Sequence, residues 1–378
     1  MSTPRDVYVI DAIRTPIGRG KNDGSLHGVH PVNLLASTLT ALMERAGVSA
    51  AHVEDIVAGC VTPIGEQGAN IGRLAGLKAR FPVEVPALQL NRFCGSGQQA
   101  IHFAAQAIAA GDMEVAIGCG VESMSRVPML SDASFSDEFR AEFPCQLLHQ
   151  GISAELVARK WDLKREELDE FAAESHCRAA AAGRNGWTQT ELFPFHGLSS
   201  DEGVRANPDL SKMRALKPVF RADGVITAAN SSQISDGAAA VLLASGRKAD
   251  ELGLRKRARM VARAVVGSDP ELMLTGPIAA TRKALGMAGL RVEDIDAFEI
   301  NEAFACVPLA WSREIQPDMR KLNIQGGAIA HGHPLGATGA ALMTKLVNIL
   351  ERTGGRYGLQ SMCIGFGMAT ATIIERVQ

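Results

Sequence analysis

The sequence predicts an α/β fold in which two similar halves share one core and a loop-rich segment is inserted into the first half. Three observations lead to this prediction. Strand-like β-branched runs alternate with Ala/Leu-rich helical patterns, a short motif recurs 239 positions downstream, and the middle of the chain differs in composition from its flanks. With 378 residues, 46% of them hydrophobic, the chain can bury cores of the size this fold needs.

The first half is predicted to span residues 1–122 and to be completed by about 231–258, where the apolar run Ala238–Ala244 resumes the core pattern. Its predicted elements, in order, are a strand at Val7–Ile10, a helix near Pro31–Ala46, a strand at Ile56–Cys60, a helix near Asn70–Leu77, a helix after Cys94 and a strand at Val115–Cys119. Such alternation is typical of a substantially parallel sheet.

Residues 123–230 form the predicted insertion. This segment contains five prolines, several Ser/Asp/Gly clusters and one long helical pattern at Ser153–Ala182. Proline and small polar residues favour turns and interrupt regular structure. We therefore expect loops and helices here rather than a continuation of the sheet.

The second half, residues 259–378, repeats the first. Val53-Glu54-Asp55-Ile56 recurs as Val292-Glu293-Asp294-Ile295, each time after an Ala-Gly pair and before an apolar strand. The same separation of 239 positions links Cys94 to His333, and each of these residues opens a small-residue turn ahead of a helical pattern. If the halves pack about a pseudo-two-fold axis, a cysteine and a histidine face one another.

Composition excludes several classes of function. The net charge of −2 argues against general binding to nucleic acid or to anionic membranes, both of which require a basic surface. Seven cysteines without a CxxC pair fit neither a disulfide framework nor a zinc knuckle, and they favour a reducing compartment. Because the chain begins with a strand pattern and contains no run of membrane-spanning length, we expect a cytoplasmic protein.

Cys94 is the first candidate catalytic residue. An apolar run, Val83–Leu90, precedes it, Gly95 and Gly97 follow it, and an Ala-rich helical pattern comes next. The sequence thus predicts a cysteine at a strand-to-helix turn, where free N–H groups and the positive end of the helix dipole favour a thiolate. The alternative is a buried structural cysteine, which is ordinary for free thiols.

The glycine-dense segment Asn323–Pro334 carries two histidines, His331 and His333. Glycines alone favour a structural turn, but an imidazole close to a cysteine can accept its proton. An HxH pair can also hold a metal ion. No further ligand with suitable spacing lies nearby, so we expect no metal.

Two further segments end predicted strands near this site. Cys363 closes an apolar strand in a glycine turn, and a second proton-transfer group would belong there, although a buried structural cysteine is the alternative. Asn301 follows the strand Ala297–Ile300 and offers an amide that can hold a water or polarise a carbonyl. Asparagine in a loop is otherwise a common turn former.

Five segments, in this order along the chain, carry a family resemblance: Asn91–Gly97, Val121–Arg126, Asn301–Phe304, Gly326–Gly336 and Cys363–Gly367. They resemble the signature motifs of thiolases, the acetyl-CoA acetyltransferase / 3-ketoacyl-CoA thiolase family, and are closer to degradative bacterial members. The similarity extends from Asp11–Pro16 to the last strand. It implies a duplicated thiolase fold with a five-layered α-β-α-β-α core.

The resemblance also implies catalytic roles. Cys94 matches the acyl-accepting nucleophile, His333 the histidine that activates it, and Cys363 the acid/base that exchanges a proton with the substrate α-carbon. Asn301 matches the residue that, through a water and together with His333, binds the thioester enolate. The backbone N–H groups of Cys94 and Gly365 match a second oxyanion hole, which holds the acyl oxygen.

Coenzyme A is the implied co-substrate, with acyl-CoA thioesters as partners and no permanently bound cofactor. The positions that match the family's coenzyme A contacts are His149, Arg205, Phe220, Ala228, Ser232, Ala303 and Phe304. Lys212 and Arg214 could add local positive charge near Arg205, although a solvated surface is an equally good interpretation of these bases. A homodimer or homotetramer is the family expectation.

The pattern departs from the family at three places, one of which is Ala229, in Thr227–Asn230, where the family usually has glycine. Phe366 stands where thiolases commonly have glycine, and Gln150 stands where short-chain enzymes have methionine, so a preference for acetoacetyl-CoA is in doubt. A biosynthetic acetoacetyl-CoA thiolase remains an alternative, as does a catalytically silent binding subunit. The presence of Cys94 and His333 argues against the silent subunit, and Cys363 argues against the related ketoacyl-ACP synthases.

Overall fold

The computed structural model describes residues 5–377, so residues 1–4 and 378, with which the two predicted halves begin and end, lie outside the described part. The strands are β1 (Val7–Arg14), β2 (Gly18–Arg19), β3 (Asp55–Gly59), β4 (Ala87–Leu90), β5 (Val115–Ser123), β6 (Ser235–Ser245), β7 (Ala258–Gly267), β8 (Ala297–Ile300), β9 (Tyr357–Ile364) and β10 (Met368–Arg376).

The helices are α1 (Pro31–Ala46), α2 (Ile71–Lys78), α3 (Ser96–Ala110), α4 (Asp137–Glu142), α5 (Gln150–Lys160), α6 (Arg165–Arg184), α7 (Leu210–Arg214), α8 (Gly246–Glu251), α9 (Gly276–Ala288), α10 (Cys306–Ile315), α11 (Ala328–His331) and α12 (Leu335–Thr353). None of the helices within residues 5–377 has both the length and the hydropathy required to cross a bilayer.

Nine of the strands follow one another across a single sheet in the order β4-β3-β5-β6-β1-β7-β10-β9-β8, and β2 pairs with β6. Among the strands of residues 5–377, only β3–β4, β3–β5 and β8–β9 are parallel pairs. The other pairings are antiparallel, which corrects the expectation of a substantially parallel sheet. Periodicity reports which side chains are buried and carries no information on strand direction. Here β9 and β10 are joined by a short turn, which requires an antiparallel pair.

The sheet consists of two half-sheets that meet at β1 and β7, where only Tyr8–Arg259 and Val9–Ala258 are paired. Helices α1 and α2 pack on the outer face of the first half-sheet, and α9 and α10 pack on the outer face of the second. Helices α3 and α12 lie between the two inner faces. This arrangement confirms the five-layered α-β-α-β-α core.

The internal repeat is confirmed, but its alignment needs a correction. Glu54 N–H donates to Val115 O and Asp296 N–H donates to Tyr357 O, so equivalent strand positions lie 242 residues apart. The recurring tetrapeptide is therefore three residues out of structural register. Helices α3 and α12 begin 239 residues apart, because the connection ahead of α12 is three residues shorter. Cys94 and His333 each stand two residues before their helix.

The two central helices cross at their first turns. A Cβ atom added to Gly97 would lie 2.6 Å from the carbonyl oxygen of Gly336, so no side chain fits between the two backbones. A Cβ atom added to Gly339 would lie 2.2 Å from the backbone nitrogen of Gln98, so glycine on both helices permits this close approach. As a result, the turns that carry Cys94 and His333 are held side by side at the boundary between the halves.

The insertion contains helices α4 to α7 and loops. The single long helical pattern predicted at Ser153–Ala182 is in fact two helices, α5 and α6. Asp162 separates them with a left-handed backbone (φ 48°), a conformation that aspartate tolerates better than most residues. The helical periodicity continues across this turn, which explains why the sequence pattern does not reveal the break.

Candidate active site

Cys94 lies in the tight turn between β4 and α3. The Gly95 N–H donates to Arg92 O at 3.0 Å and the Ser96 N–H donates to Phe93 O at 2.9 Å. Phe93 adopts a left-handed backbone (φ 43°), which for a bulky residue indicates a conformation imposed by its surroundings. The turn leaves Cys94 only 4% exposed, immediately before the helix.

Burial raises the pKa of the Cys94 thiol to about 12, and the neighbouring Cys363 adds to this increase. The backbone N–H groups of Cys94 and Gly365 and the side chain of Gln150 lower this pKa in part, because they favour the charged sulfur. The expectation of a thiolate favoured by the helix dipole is therefore wrong for the resting site. Desolvation outweighs the dipole, because a charged sulfur loses its hydration at this depth.

His333 is held as a neutral base. Its Nδ1 lies 2.7 Å from Thr338 Oγ1, and this hydroxyl donates at 2.9 Å to Pro334 O. Because the hydroxyl proton is already used, Thr338 accepts from Nδ1–H, which leaves Nε2 with its lone pair. Burial lowers the pKa of His333 to about 4. The ring is thus uncharged and offers an acceptor to a nearby thiol.

Asn301 joins His333 to the second cysteine. Its Nδ2 lies 3.4 Å from His333 Nε2 and 3.8 Å from Cys363 Sγ, while its buried Oδ1 has no partner among the described residues. Cys363 is fully buried in β9, and this burial raises the pKa of its thiol to about 11. The site therefore holds a neutral acid, a neutral base and an amide donor in contact.

The first cysteine packs against the strand that carries the second. Cys94 shares a small apolar cluster with Met362 and Ile364, the two neighbours of Cys363. All five predicted catalytic positions are thus brought together where the two halves meet. Paired thiols, an imidazole and backbone donors are the groups required for acyl transfer combined with proton exchange at carbon.

Two residues that support the site were missed in the sequence. Thr338, which orients His333, lies five positions after it on α12 and looks like an ordinary helix residue. Glu122 ends the apolar strand β5, and its buried carboxylate accepts from the N–H groups of Val61 and Gly336, both at 2.9 Å. It thereby ties the first half to the start of α12. Glu122 lies in the signature segment Val121–Arg126, but nothing local predicts its role, because its partner Gly336 is 214 residues away.

A cavity of about 670 Å³ lies beside the insertion. Three of the predicted coenzyme A residues line it, together with three further bases: Arg205, Ala228, Ser232, Arg19, Lys21 and Lys212. Arg214 instead pairs with Glu170 at 3.0 Å. A cavity lined by both basic side chains and small residues can hold an elongated molecule with an anionic end.

The other four predicted coenzyme A residues lie outside the lining of this cavity. The rings of His149 and Phe220 are stacked with centroids 5.1 Å apart, and Phe220 meets Phe304 edge-on at 6.1 Å. Ala303 O accepts from the Ser232 N–H at 2.9 Å, which connects this aromatic row to the cavity.

The two histidines of the HxH pair are directed at different partners. His331 faces Asp201 and Gln325 O, whereas His333 faces Thr338 and Asn301. Within residues 5–377, no group of three or more His, Cys, Asp or Glu side chains is arranged to hold a metal ion.

Comparison with known proteins places almost the whole chain in one family. Residues 7–247 match the thiolase N-terminal domain and residues 254–376 match the thiolase C-terminal domain. The steroid 3-ketoacyl-CoA thiolase FadA6 of Mycobacterium tuberculosis is 49% identical, over 98% of this chain and 94% of that protein. A 3-ketoacyl-CoA thiolase of Salmonella typhimurium is 43% identical, over 98% of this chain and 99% of that protein. A 3-ketoacyl-CoA thiolase of Vibrio parahaemolyticus is 41% identical, over 98% of this chain and 98% of that protein. The chain belongs to the thiolase family.

Proposed function

We propose that this acyltransferase cleaves 3-ketoacyl-CoA with coenzyme A, giving acetyl-CoA and a shortened acyl-CoA, through an acyl group carried on Cys94. The observation that carries the proposal is the contact of the Asn301 amide with both His333 and Cys363 at the turn of Cys94. The degradative thiolases to which the chain is 41–49% identical support the same reaction.

In the first step, His333 Nε2 takes the proton of Cys94 while the sulfur attacks the 3-keto carbon. Both groups are neutral at rest, so proton transfer and attack are coupled rather than preceded by a stable thiolate. The N–H groups of Cys94 and Gly365, which already favour negative charge on the sulfur, receive the developing oxyanion.

In the second step, the bond between C2 and C3 breaks and acetyl-CoA leaves as its enolate. The Asn301 side chain and the protonated His333 stabilise the enolate oxygen, and the Cys363 thiol delivers a proton to C2. A thiol with a pKa of about 11 is protonated at neutral pH and is therefore ready to act as the acid.

In the third step, the second substrate returns the enzyme to its starting state. The Cys363 thiolate takes the proton of coenzyme A, whose sulfur attacks the thioester on Cys94. The shortened acyl-CoA leaves, and Cys94 recovers its proton from His333. Run in reverse, the same groups perform a Claisen condensation, so concentrations of the metabolites set the direction.

The proposal is tested with the wild-type chain and a panel of 3-ketoacyl-CoA thioesters of increasing length and bulk. We expect consumption of coenzyme A, one acetyl-CoA for each substrate cleaved, and an acyl adduct on the Cys94 peptide in mass spectra taken without coenzyme A. Reaction with acetoacetyl-CoA alone would favour the biosynthetic alternative, and no reaction with any member would favour the silent subunit.

Phe366 is proposed to set the size of the acyl group. Its ring lies 5.2 Å from that of Phe93, and it holds a left-handed backbone (φ 58°), which for a non-glycine residue costs about 1–2 kcal/mol. A Cβ on Gly365 would lie 3.5 Å from the Phe93 ring, so the aromatic pair covers the turn whose N–H reaches Cys94.

We expect Phe366→Gly to shift the ratio of kcat/KM between bulky and short 3-ketoacyl-CoA about 10-fold toward the bulky substrates, because a pocket that gains a few methylene volumes discriminates by roughly this factor. Relief of the backbone strain should offset the lost ring contact, so Tm should change little. Phe366→Leu, which keeps an apolar side chain, is the control. An unchanged ratio across the panel would show that the Phe366 ring does not line the acyl pocket.

The coenzyme A site is proposed in the cavity that Arg205, Ala228 and Ser232 line, with the bases of its lining facing the phosphates. The aromatic row of His149, Phe220 and Phe304, together with Ala303, is proposed to flank the pantetheine arm. A cytoplasmic location belongs to the same proposal. All seven cysteines are free thiols, which suits a reducing compartment.

A homodimer or homotetramer is also proposed. Strand β4 ends the sheet and pairs only with β3 among the described strands. Leu88 on this edge is 46% exposed, and Leu74, Leu77 and Val83 beside it are exposed as well. An apolar, unpaired edge invites pairing with a second copy.

Sedimentation velocity at micromolar concentration should show a dimer or larger species, and Leu88→Lys should shift it toward the monomer because a buried unpaired charge opposes strand pairing. Met287→Lys, which adds the same single charge at an exposed apolar position on α9, is the charge-matched control. A wild-type chain that sediments as a monomer would contradict the proposal.

A further inference from the structure

His331 lies two residues before the catalytic histidine and has no role in the proposed reaction. It is buried, with Nδ1 2.7 Å from Asp201 Oδ2 and Nε2 2.8 Å from Gln325 O. A carboxylate and a carbonyl oxygen can only accept hydrogen bonds, so both contacts are made at once only when each ring nitrogen carries a proton. The ring then donates in two directions.

Asp201 is a firmly held anchor for this histidine. Its carboxylate accepts two hydrogen bonds from Arg14, at 2.7 and 3.0 Å, and one from the Ile17 N–H at 2.8 Å. Burial raises the pKa of the Asp201 carboxyl, but Arg14 and His331 outweigh burial and hold the pKa well below its usual range. Asp201 therefore remains ionised, and the contact with His331 is a charge-assisted one.

Asp201 opens the segment that leads to Arg205, the base proposed to face coenzyme A. The Arg205 N–H donates to His176 Nδ1 at 3.1 Å, and Gly203 O accepts from Gln233 Nε2 at 3.2 Å. Gln233 also accepts the His333 N–H on its backbone oxygen at 3.2 Å. Two connections thus run from this segment to the catalytic turn, one through Gln233 and one through His331.

We propose that His331 is a positioning residue which, through Asp201, holds the Arg205 segment in place relative to the turn of His333. The inference rests on the proposed function, because it assumes that the Arg205 segment binds coenzyme A. His331 should therefore affect binding of the nucleotide end of the substrate. Cleavage of a thioester that lacks this end should not depend on His331.

The test compares a 3-ketoacyl-CoA with the matching thioester of N-acetylcysteamine, which has no nucleotide or phosphate. We expect His331→Leu to reduce the kcat/KM ratio of the coenzyme A substrate to the truncated one about tenfold, since networks of this kind change coupling by factors of this order. A merely structural role would lower both values together and leave their ratio unchanged.

Two conservative variants distinguish the hydrogen bond of His331 to Asp201 from its hydrogen bond to Gln325 O. His331→Asn keeps a donor near the position of Nδ1, toward Asp201, and should return the ratio to within about twofold of wild type. His331→Gln keeps a donor near Nε2, toward Gln325 O, and should not. Leu39→Ala, which truncates a buried side chain in α1, is the control for a general loss of stability. We expect it to lower Tm and to leave the kcat/KM ratio of the two substrates unchanged.

Rescue by His331→Gln but not His331→Asn, or an unchanged ratio in His331→Leu, would overturn the inference. Failure of the proposed function has a different signature. In that event the wild-type chain cleaves neither thioester, or Arg205→Ala leaves the ratio of the two substrates at its wild-type value.

Discussion

Cys94→Ala should abolish thiolysis of every 3-ketoacyl-CoA, with kcat falling by about 10⁴- to 10⁶-fold, the loss typical of removing a nucleophile from a covalent mechanism. The fold should survive. Alanine fits the small apolar cluster that Cys94 shares with Met362 and Ile364, and the backbone turn does not depend on the sulfur. Initial rates of coenzyme A-dependent cleavage, with Tm as the control for folding, provide the measurement. Normal turnover by the variant would eliminate the mechanism.

The protonation state of Cys94 gives this prediction a pH dependence. A pKa raised to about 12 means that the resting sulfur is a thiol throughout the neutral range. Alkylation of Cys94 by iodoacetamide, followed on its own peptide by mass spectrometry, should therefore become about tenfold faster for each pH unit between 7 and 9. A rate that is flat with pH would indicate a resting thiolate and contradict the coupled proton transfer.

Cys363→Ser should lower thiolysis by about 10²- to 10⁴-fold, the usual contribution of a positioned acid or base. A hydroxyl occupies similar space and can accept the Asn301 hydrogen bond, but it is a far weaker acid than a thiol, so protonation of the enolate is slowed. Acylation of Cys94 by a simple acyl-CoA needs no proton at carbon. It needs one only for the departing sulfur of coenzyme A, which leaves readily as a thiolate, so acylation should persist at a reduced rate.

The two half-reactions distinguish the cysteines. We expect the Cys363→Ser chain to accumulate the acyl group on Cys94 with acyl-CoA, and the Cys94→Ala chain to accumulate none. Cys119→Ser is a matched control, since Cys119 is a buried thiol in β5 that lies outside the site. Loss of Cys94 labelling in Cys363→Ser would show that Cys363 is needed for the acyl transfer itself.

Local patterns in the sequence were sufficient to predict most of the helices and strands and to identify the candidate site residues that the fold brings together. The helix predicted at Pro31–Ala46 has those bounds, since a proline at its first position and a glycine cap define both ends. The approach of Cys94 and His333 followed from the repeat, although the tetrapeptide that suggested it is out of register. The small residues that follow Cys94 and His333 in equivalent turns were sufficient to predict this approach.

What the sequence did not predict depends on contacts between distant segments. The charge state of Cys94 follows from burial, which no local motif reports. Glu122, Thr338 and the Asp201–His331 pair act through partners whose identity depends on how the halves and the insertion come together. Strand direction was missed for the same reason.

The close crossing of α3 and α12 makes Gly97 and Gly339 part of the proposed site although neither carries a functional group. A single methyl at Gly97 would push the two helices apart, and with them the proposed nucleophile and base, which must approach within hydrogen-bonding distance. We therefore expect activity to depend on the missing side chains of these glycines as well as on the reacting groups. A survey limited to polar side chains would not identify these positions as sensitive to substitution.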